Sequence, residues 1–177
     1  MKYLSMIAVA GLLLAGTTPV LAQAPDDAQI ADIVLVADQV DIYAGKLAES
    51  RGHSQDVRSF GKEMVTDHGA VNKQARALAK KLHLAPQSSA TSKSLRAGGT
   101  ANLRDLRKLH GAAFDKAYID HEVAYHQQVI DALKMTLIPN AQNAGLKQLL
   151  QTGLPIFQGR NYSPPNASAP MNGCLTT

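Results

Sequence analysis

The chain has 177 residues, 18 Lys and Arg against 14 Asp and Glu, a formal charge of +4, one cysteine and no tryptophan. That length suits one domain able to bury a real core, and the lone Cys174 excludes an intramolecular disulfide, so packing must supply the stability. The sequence carries no glycine-rich phosphate loop, serine-centred nucleophile motif or paired-cysteine motif, and so mild a charge does not by itself choose a partner.

Residues 1–22 read as a secretory signal: Lys2, an apolar stretch from Met6 to Ala15, and the small-residue cleavage pattern Val20-Leu21-Ala22. The apolar run is too short, and too soon followed by Thr17, Thr18 and Pro19, to span a membrane. No membrane span is expected after cleavage. The mature chain is expected to begin near Gln23, with residues 23–158 as one helical domain and 159–177 as a tail.

Asp26 and Asp27 can cap a first helix whose apolar stripe runs Ile30, Ile33, Ala37, Val40, Ala44 and Leu47, ending near Gly52. Ser54, with Asp56 in the first turn, starts a second helix that fades after Leu84-Ala85-Pro86. Its stripe is Val57, Phe60, Met64, Val71, Ala75, Leu78 and Leu82, with His68 in the one missing step. Between Pro86 and Thr100 the composition turns to Ser, Thr, Ala and Gly, which predicts a long crossover connection. A short helical piece at Leu103, Leu106 and Leu109 precedes Gly111. A third long helix from Ala112 to about Leu137 shows Ile119, Val123, Ile130, Leu133 and Leu137, with His126 in the gap. After Pro139-Asn140 a last helix runs from Ala141 through Leu146, Leu149, Leu150, Leu154 and Phe157, kinked or ended by Pro155. From Gly159 the chain is proline-rich without apolar periodicity, which predicts a flexible tail. Four principal helices and no strand pattern make the expected fold all-α, a four-helix bundle.

Steps of three and four residues set His68 and His126 on the apolar faces of two different helices. Asp41 follows Val34 and Ala37 and precedes Ala44 and Ala48 at the same spacing, so three polar groups near mid-helix can meet at one depth. Asp67 neighbours His68, and Glu122 stands one turn before His126. Imidazole with carboxylate suits a first-row transition metal, which makes Asp41, Asp67, His68, Glu122 and His126 candidate ligands. The residues alone leave three readings open: core histidines hydrogen-bonded to Asp41, Tyr118, Tyr125 or each other; ligands of a metal or small molecule; and acid/base catalysts. A Glu-x-x-His motif present twice, the diiron signature, is absent. His53, His83 and His110 fall at helix ends, and His121 on another face from His126.

Lys73, Arg76, Lys80, Lys81, Lys93, Arg96, Arg104, Arg107 and Lys108 form a basic belt with Asp105 the only acid among them. Such a belt suits an anionic envelope component or is simply a solvated face. Nucleic acid is not expected, because no aromatic residue stands among these cations to stack a base.

The stretches SFGKEMVTDHGAVNKQARALAKKLHL, LRKLHGAAFDKAYIDHEVAYHQQVID and LPIF resemble the exported bacterial ferritin-like family known as domain of unknown function 4142. The resemblance covers about Ala28 to Gln158. It implies an antiparallel ferritin-like four-helix bundle in the periplasm or envelope, sometimes labelled an outer-membrane protein, with no established activity. It places the family's aspartate-histidine pair on Asp67 and His68, its second histidine on His126 and its usual acid on Asp41. It also implies a further histidine on the last helix, where this chain has Arg160. The expected function is an exported, non-enzymatic envelope protein of unassigned activity whose core polar cluster is a candidate site for a transition-metal ion. The alternatives are a metal-dependent or redox stress enzyme using the same cluster, and an interaction module acting through the belt.

Overall fold

The computed structural model describes residues 24–158. The predicted signal, the tail, Arg160 and Cys174 lie outside the described residues. The described chain is all-helical: α1 (Asp27–Arg51), α2 (Gln55–Lys81), α3 (Ala90–Leu106), α4 (Gly111–Ala132), a π-helical turn (Leu133–Leu137), the short α5 (Ile138–Asn140) and α6 (Ala144–Gln158). Among the described residues no helix is long and apolar enough to cross a membrane.

Local chemistry sets the boundaries. Asp26 accepts from the Gln29 amide at 2.8 Å while Gln29 returns the contact to the Asp26 amide, a reciprocal cap on α1. Ser54 accepts from the Val57 amide and starts α2. Asp27 has a different task from the expected cap: its two carboxylate oxygens accept from the Gln142 and Asn143 amides, tying the α5–α6 loop to the start of α1. At the opposite end Asp115 of α4 accepts from the His53 and Ser54 amides at 2.7 and 2.8 Å, fastening the α1–α2 turn. Helix α2 stops earlier than Pro86 suggests, at Lys81, because His83 takes a left-handed conformation with φ of 52°.

Helices α1 and α2 form an antiparallel hairpin, since their contacts pair rising with falling numbers: Gly45 with Gly61, Asp38 with His68, Leu35 with Asn72. The hairpin closes on glycine. A Cβ at Gly61 would lie 2.6 Å from the Gly45 carbonyl oxygen and 2.7 Å from the Glu49 nitrogen, so only a bare backbone permits the approach.

The predicted connection from 86 to 100 is corrected by the structure, which makes most of it helix α3. Contacts Gln87–Ala28, Arg96–Asp32, Gly99–Val40 and Arg51–Arg107 show α3 running parallel to α1 and carrying the chain along its length. The crossover is real but helical. Gly98-Gly99 reads as a loop signal by propensity, yet Gly99 is there for contact: a Cβ would lie 2.7 Å from a Val40 methyl. Ser89 and Ser92 cap the helix reciprocally. Covered by α2 on one side and α3 on another, α1 buries Leu35 and Val36 as well as its main stripe.

Two apolar clusters result. One joins Ile30, Ile33, Ala37, Val129, Leu133, Leu146 and Leu150; the other joins Ala44, Ala48, Val57, Leu106, Phe114 and Tyr118. Between them lies a layer of buried acids and imidazoles.

Candidate metal centre

The layer is assembled from α1, α2 and α4 and roofed by α6. Asp38, Asp41, His68 and Glu122 are each no more than 1% exposed, and the His126 side chain is 18% exposed. His68 Nδ1 lies 3.0 Å from Asp38 Oδ1, within hydrogen-bond distance, and 3.5 Å from Asp41 Oδ2. His126 Nε2 is 3.8 Å from Asp41 Oδ1 and 3.9 Å from Glu122 Oε2. The imidazole centroids are 5.6 Å apart. Asp41, His68 and His126 each offer a ligand atom within 4.8 Å of the other two.

Three of the five residues expected from the sequence therefore come together. Glu122 borders the set at full burial. Asp67 is half-buried and outside the triad, because one residue along a helix turns about 100° from His68. Asp38, the closest partner of His68, is the residue the spacing could have shown: it precedes Asp41 by three and shares its face. Phe157 is the other unforeseen member. Its ring meets His68 at 5.0 Å and His126 at 5.6 Å, edge-on, and covers both.

The face of α4 differs from the one its aliphatic residues suggest. Val123 is 50% exposed, while Phe114, Tyr118, Glu122, Tyr125, Val129, Leu133 and Leu137 point inward. The aromatic rings define this face, and Tyr125 can turn inward because its hydroxyl donates to the Ala37 carbonyl at 3.2 Å. His126 thus sits at the margin of the layer and Glu122 at its centre.

Electrostatically the layer resists charge. Burial raises Asp38, with the His68 bond pulling the other way. Burial first, then the neighbouring Glu122 and Asp38, holds Asp41 well above the usual carboxylate range. Burial pushes Glu122 up to about 8, and burial followed by the neighbouring imidazoles brings His126 down to about 4. At neutral pH His126 is an uncharged imidazole with a lone pair. Asp38 Oδ2 and His126 Nε2 are buried with no hydrogen-bond partner among the described residues, and the buried carboxyls of Asp41 and Glu122 lie close enough to share a proton. A buried polar atom left unsatisfied costs about 1 to 3 kcal/mol, a large fraction of the stability of a domain, about 5 to 15 kcal/mol. Protons shared among these groups, or a cation held between them, lower that cost.

The remaining histidines fit their expected places. His53, His83 and His110 are exposed near helix ends, and His121 is half-buried, its ring stacked 5.7 Å from Tyr125. The basic belt is exposed along α2 and α3 but partly answered within the chain. Arg76 donates to Asn72, Arg96 pairs with Asp32 at 3.8 Å, and Arg104 and Lys108 share Asp105.

None of the curated proteins and none of the solved structures matches the chain significantly. The family described as domain of unknown function (DUF4142) matches residues 15–161, which span every described helix and the polar layer, and the chain belongs to that family.

Proposed function

We propose that this chain is an exported, ferritin-like four-helix bundle of the periplasm or envelope that holds one transition-metal ion in its core and has no catalytic activity. The observation that carries the reading is the buried convergence of Asp41, His68 and His126 from three helices. Donors about 2.1 Å from a tetrahedral ion stand roughly 3.4 Å apart; Asp41 Oδ1 and His126 Nε2 are 3.8 Å apart, and the three ligand atoms lie within 4.8 Å of one another. Nitrogen with carboxylate oxygen is a donor set for zinc, iron, copper or manganese. Asp38 holds His68 through Nδ1 and so fits the outer role of fixing the ring, which leaves Nε2 as the ligand nitrogen, and Glu122 supplies a second acid beside His126. A bound ion supplies the positive charge that lets these carboxylates ionise.

Phe157 packs edge-on against both imidazoles and leaves the His126 side chain only 18% exposed, which favours retention of an ion over turnover of a substrate. One such convergence among the described residues, without two Glu-x-x-His motifs in the sequence, favours one ion over a dinuclear pair. The purified full chain, loaded with zinc or manganese and assayed for metal content, is expected to retain one equivalent. His68→Ala and His126→Ala are each expected to lose it while staying helical by circular dichroism. No retained metal under loading conditions, or unchanged content in both variants, overturns the proposal.

A further inference from the structure

Next to the polar layer, on the side of the π-helical turn, lies a cavity of about 190 Å³. Its wall is almost wholly apolar, with Ile33 from α1, Val129 from α4, Leu133 and Leu137 from the π-helical turn, and Phe157 from α6. Among the described residues of the wall the one acid is Asp38, 1% exposed, whose Oδ1 faces His68 and whose Oδ2 has no hydrogen-bond partner among the described residues.

Gly153 reports the same space independently. It is buried and lines the cavity, yet a Cβ built on it would meet no described atom within 4 Å. Interiors normally pack as densely as organic crystals, with few voids larger than a water. An engineered apolar cavity of about 150 Å³ stays dry and takes up benzene, so this one has room for a molecule somewhat larger. Thr91 and Gln128, both exposed, stand at its rim and make it reachable from solvent. The π-helical turn contributes Leu133, Thr136 and Leu137, and such turns recur at functional sites.

We propose that this cavity binds a small amphiphile: a hydrocarbon chain or ring of about six to eight carbons ending in a hydrogen-bond donor, an amine or hydroxyl, that Asp38 Oδ2 accepts. The body of such a guest buries apolar surface against Val129, Leu133 and Leu137. Its head satisfies an acceptor that the fold leaves unpaired, the kind of polar placement that fixes orientation in otherwise apolar sites. Phe157 then stands between guest and imidazoles. The inference does not depend on a bound metal.

Hexan-1-amine, hexan-1-ol and cyclohexane, titrated into the metal-free full chain and followed by methyl NMR, provide the measurement. The native chain is expected to bind the first two saturably at one site, with cyclohexane weaker. Gly153→Leu fills the space and is expected to weaken hexan-1-amine at least tenfold. Gly153→Ala adds one methyl into open space, keeps the fold and weakens it less. Asp38→Asn is expected to weaken the amine by about tenfold, the loss of one charge-assisted hydrogen bond. Absence of saturable binding, or undiminished binding by both Gly153 variants, overturns the proposal. Equal affinity for cyclohexane and hexan-1-amine overturns the role of Asp38.

Discussion

Replacing Glu122 by glutamine keeps the shape of a protonated carboxyl and removes its titration, which separates the two ways the polar layer can be held together. In the metal-free protein burial moves Glu122 from its ordinary 4.5 up to about 8. An unfolded chain releases that proton near pH 4.5, while the folded chain keeps it until about pH 8. Within this window the folded state binds more protons, so stability falls as pH rises, by up to about 1.4 kcal/mol per pH unit. His126 acts in the opposite sense. Its value falls from 6.5 to about 4, so its contribution is present above pH 6.5 and lost as pH drops toward 4. Above pH 6.5 the decline from Glu122 is therefore unopposed by His126.

Between pH 7 and 8 the loss from Glu122 alone comes to about 1 kcal/mol, which for a domain of this size lowers the melting temperature by roughly 2 to 5 °C. Thermal melts with a chelator across pH 6.5 to 8.5 measure it. Glu122→Gln is expected to remove at least half of the fall and to melt at or above the native protein at pH 8. With zinc at 100 times its dissociation constant, about 2.7 kcal/mol of stabilisation is expected in the native chain, growing with pH because the ion displaces protons. The variant should bind about tenfold or more weakly, as when a supporting group beside a metal is lost. A native melting temperature that is flat from pH 7 to 8, or an equally steep fall in Glu122→Gln, refutes the reasoning.

His68→Leu is expected to destabilise by about 3 to 5 kcal/mol in denaturant unfolding, because it strands the buried Asp38 and Asp41 without their imidazole; a stabilised variant would mean that the ring is merely tolerated. Gly61→Ala forces a methyl against the backbone of α1 and should cost about 1 to 3 kcal/mol. Gly69→Ala, where a Cβ meets nothing within 4 Å, should gain about 0.5 to 1 kcal/mol by helix propensity, and similar values for the two would deny the tight crossing. Asp115→Ala deletes the acceptor for two amides at the α1–α2 turn and should cost about 1 to 3 kcal/mol, with faster hydrogen exchange at His53 and Ser54; unchanged exchange there would remove Asp115 from the turn.

Legibility in the sequence followed the kind of side chain involved. The α1 and α2 stripes are aliphatic and regularly spaced, and their buried faces lie where that spacing puts them, with His68 completing the second. On α4 the inward face is built from Phe114, Tyr118 and Tyr125 with Glu122 among them. Each tyrosine is ambiguous by polarity, and Val123 and Ile130 draw the eye to a neighbouring stripe. A tyrosine reads as buried only when its hydroxyl has a partner, and the partner of Tyr125, the Ala37 carbonyl, lies 88 residues away. Propensity misled at α3 for a related reason: Gly99 is weak helix material whose value lies in bringing α3 against Val40, a benefit visible only after folding.

The same distinction explains which members of the site were visible. Asp41, His68 and His126 each break an apolar pattern and announce themselves on their own helices. Asp38 and Phe157 break none: one adds a second acid to a face already marked by Asp41, and the other continues the apolar face of α6. Their significance comes from what they meet across the core, the Nδ1 of one imidazole and the faces of two. Local periodicity can thus nominate the groups that are costly to bury. It cannot supply the neighbours that make burial tolerable, and in this layer those neighbours, Asp38 beneath His68 and Phe157 above both rings, determine whether water, protons or an ion settles the charge.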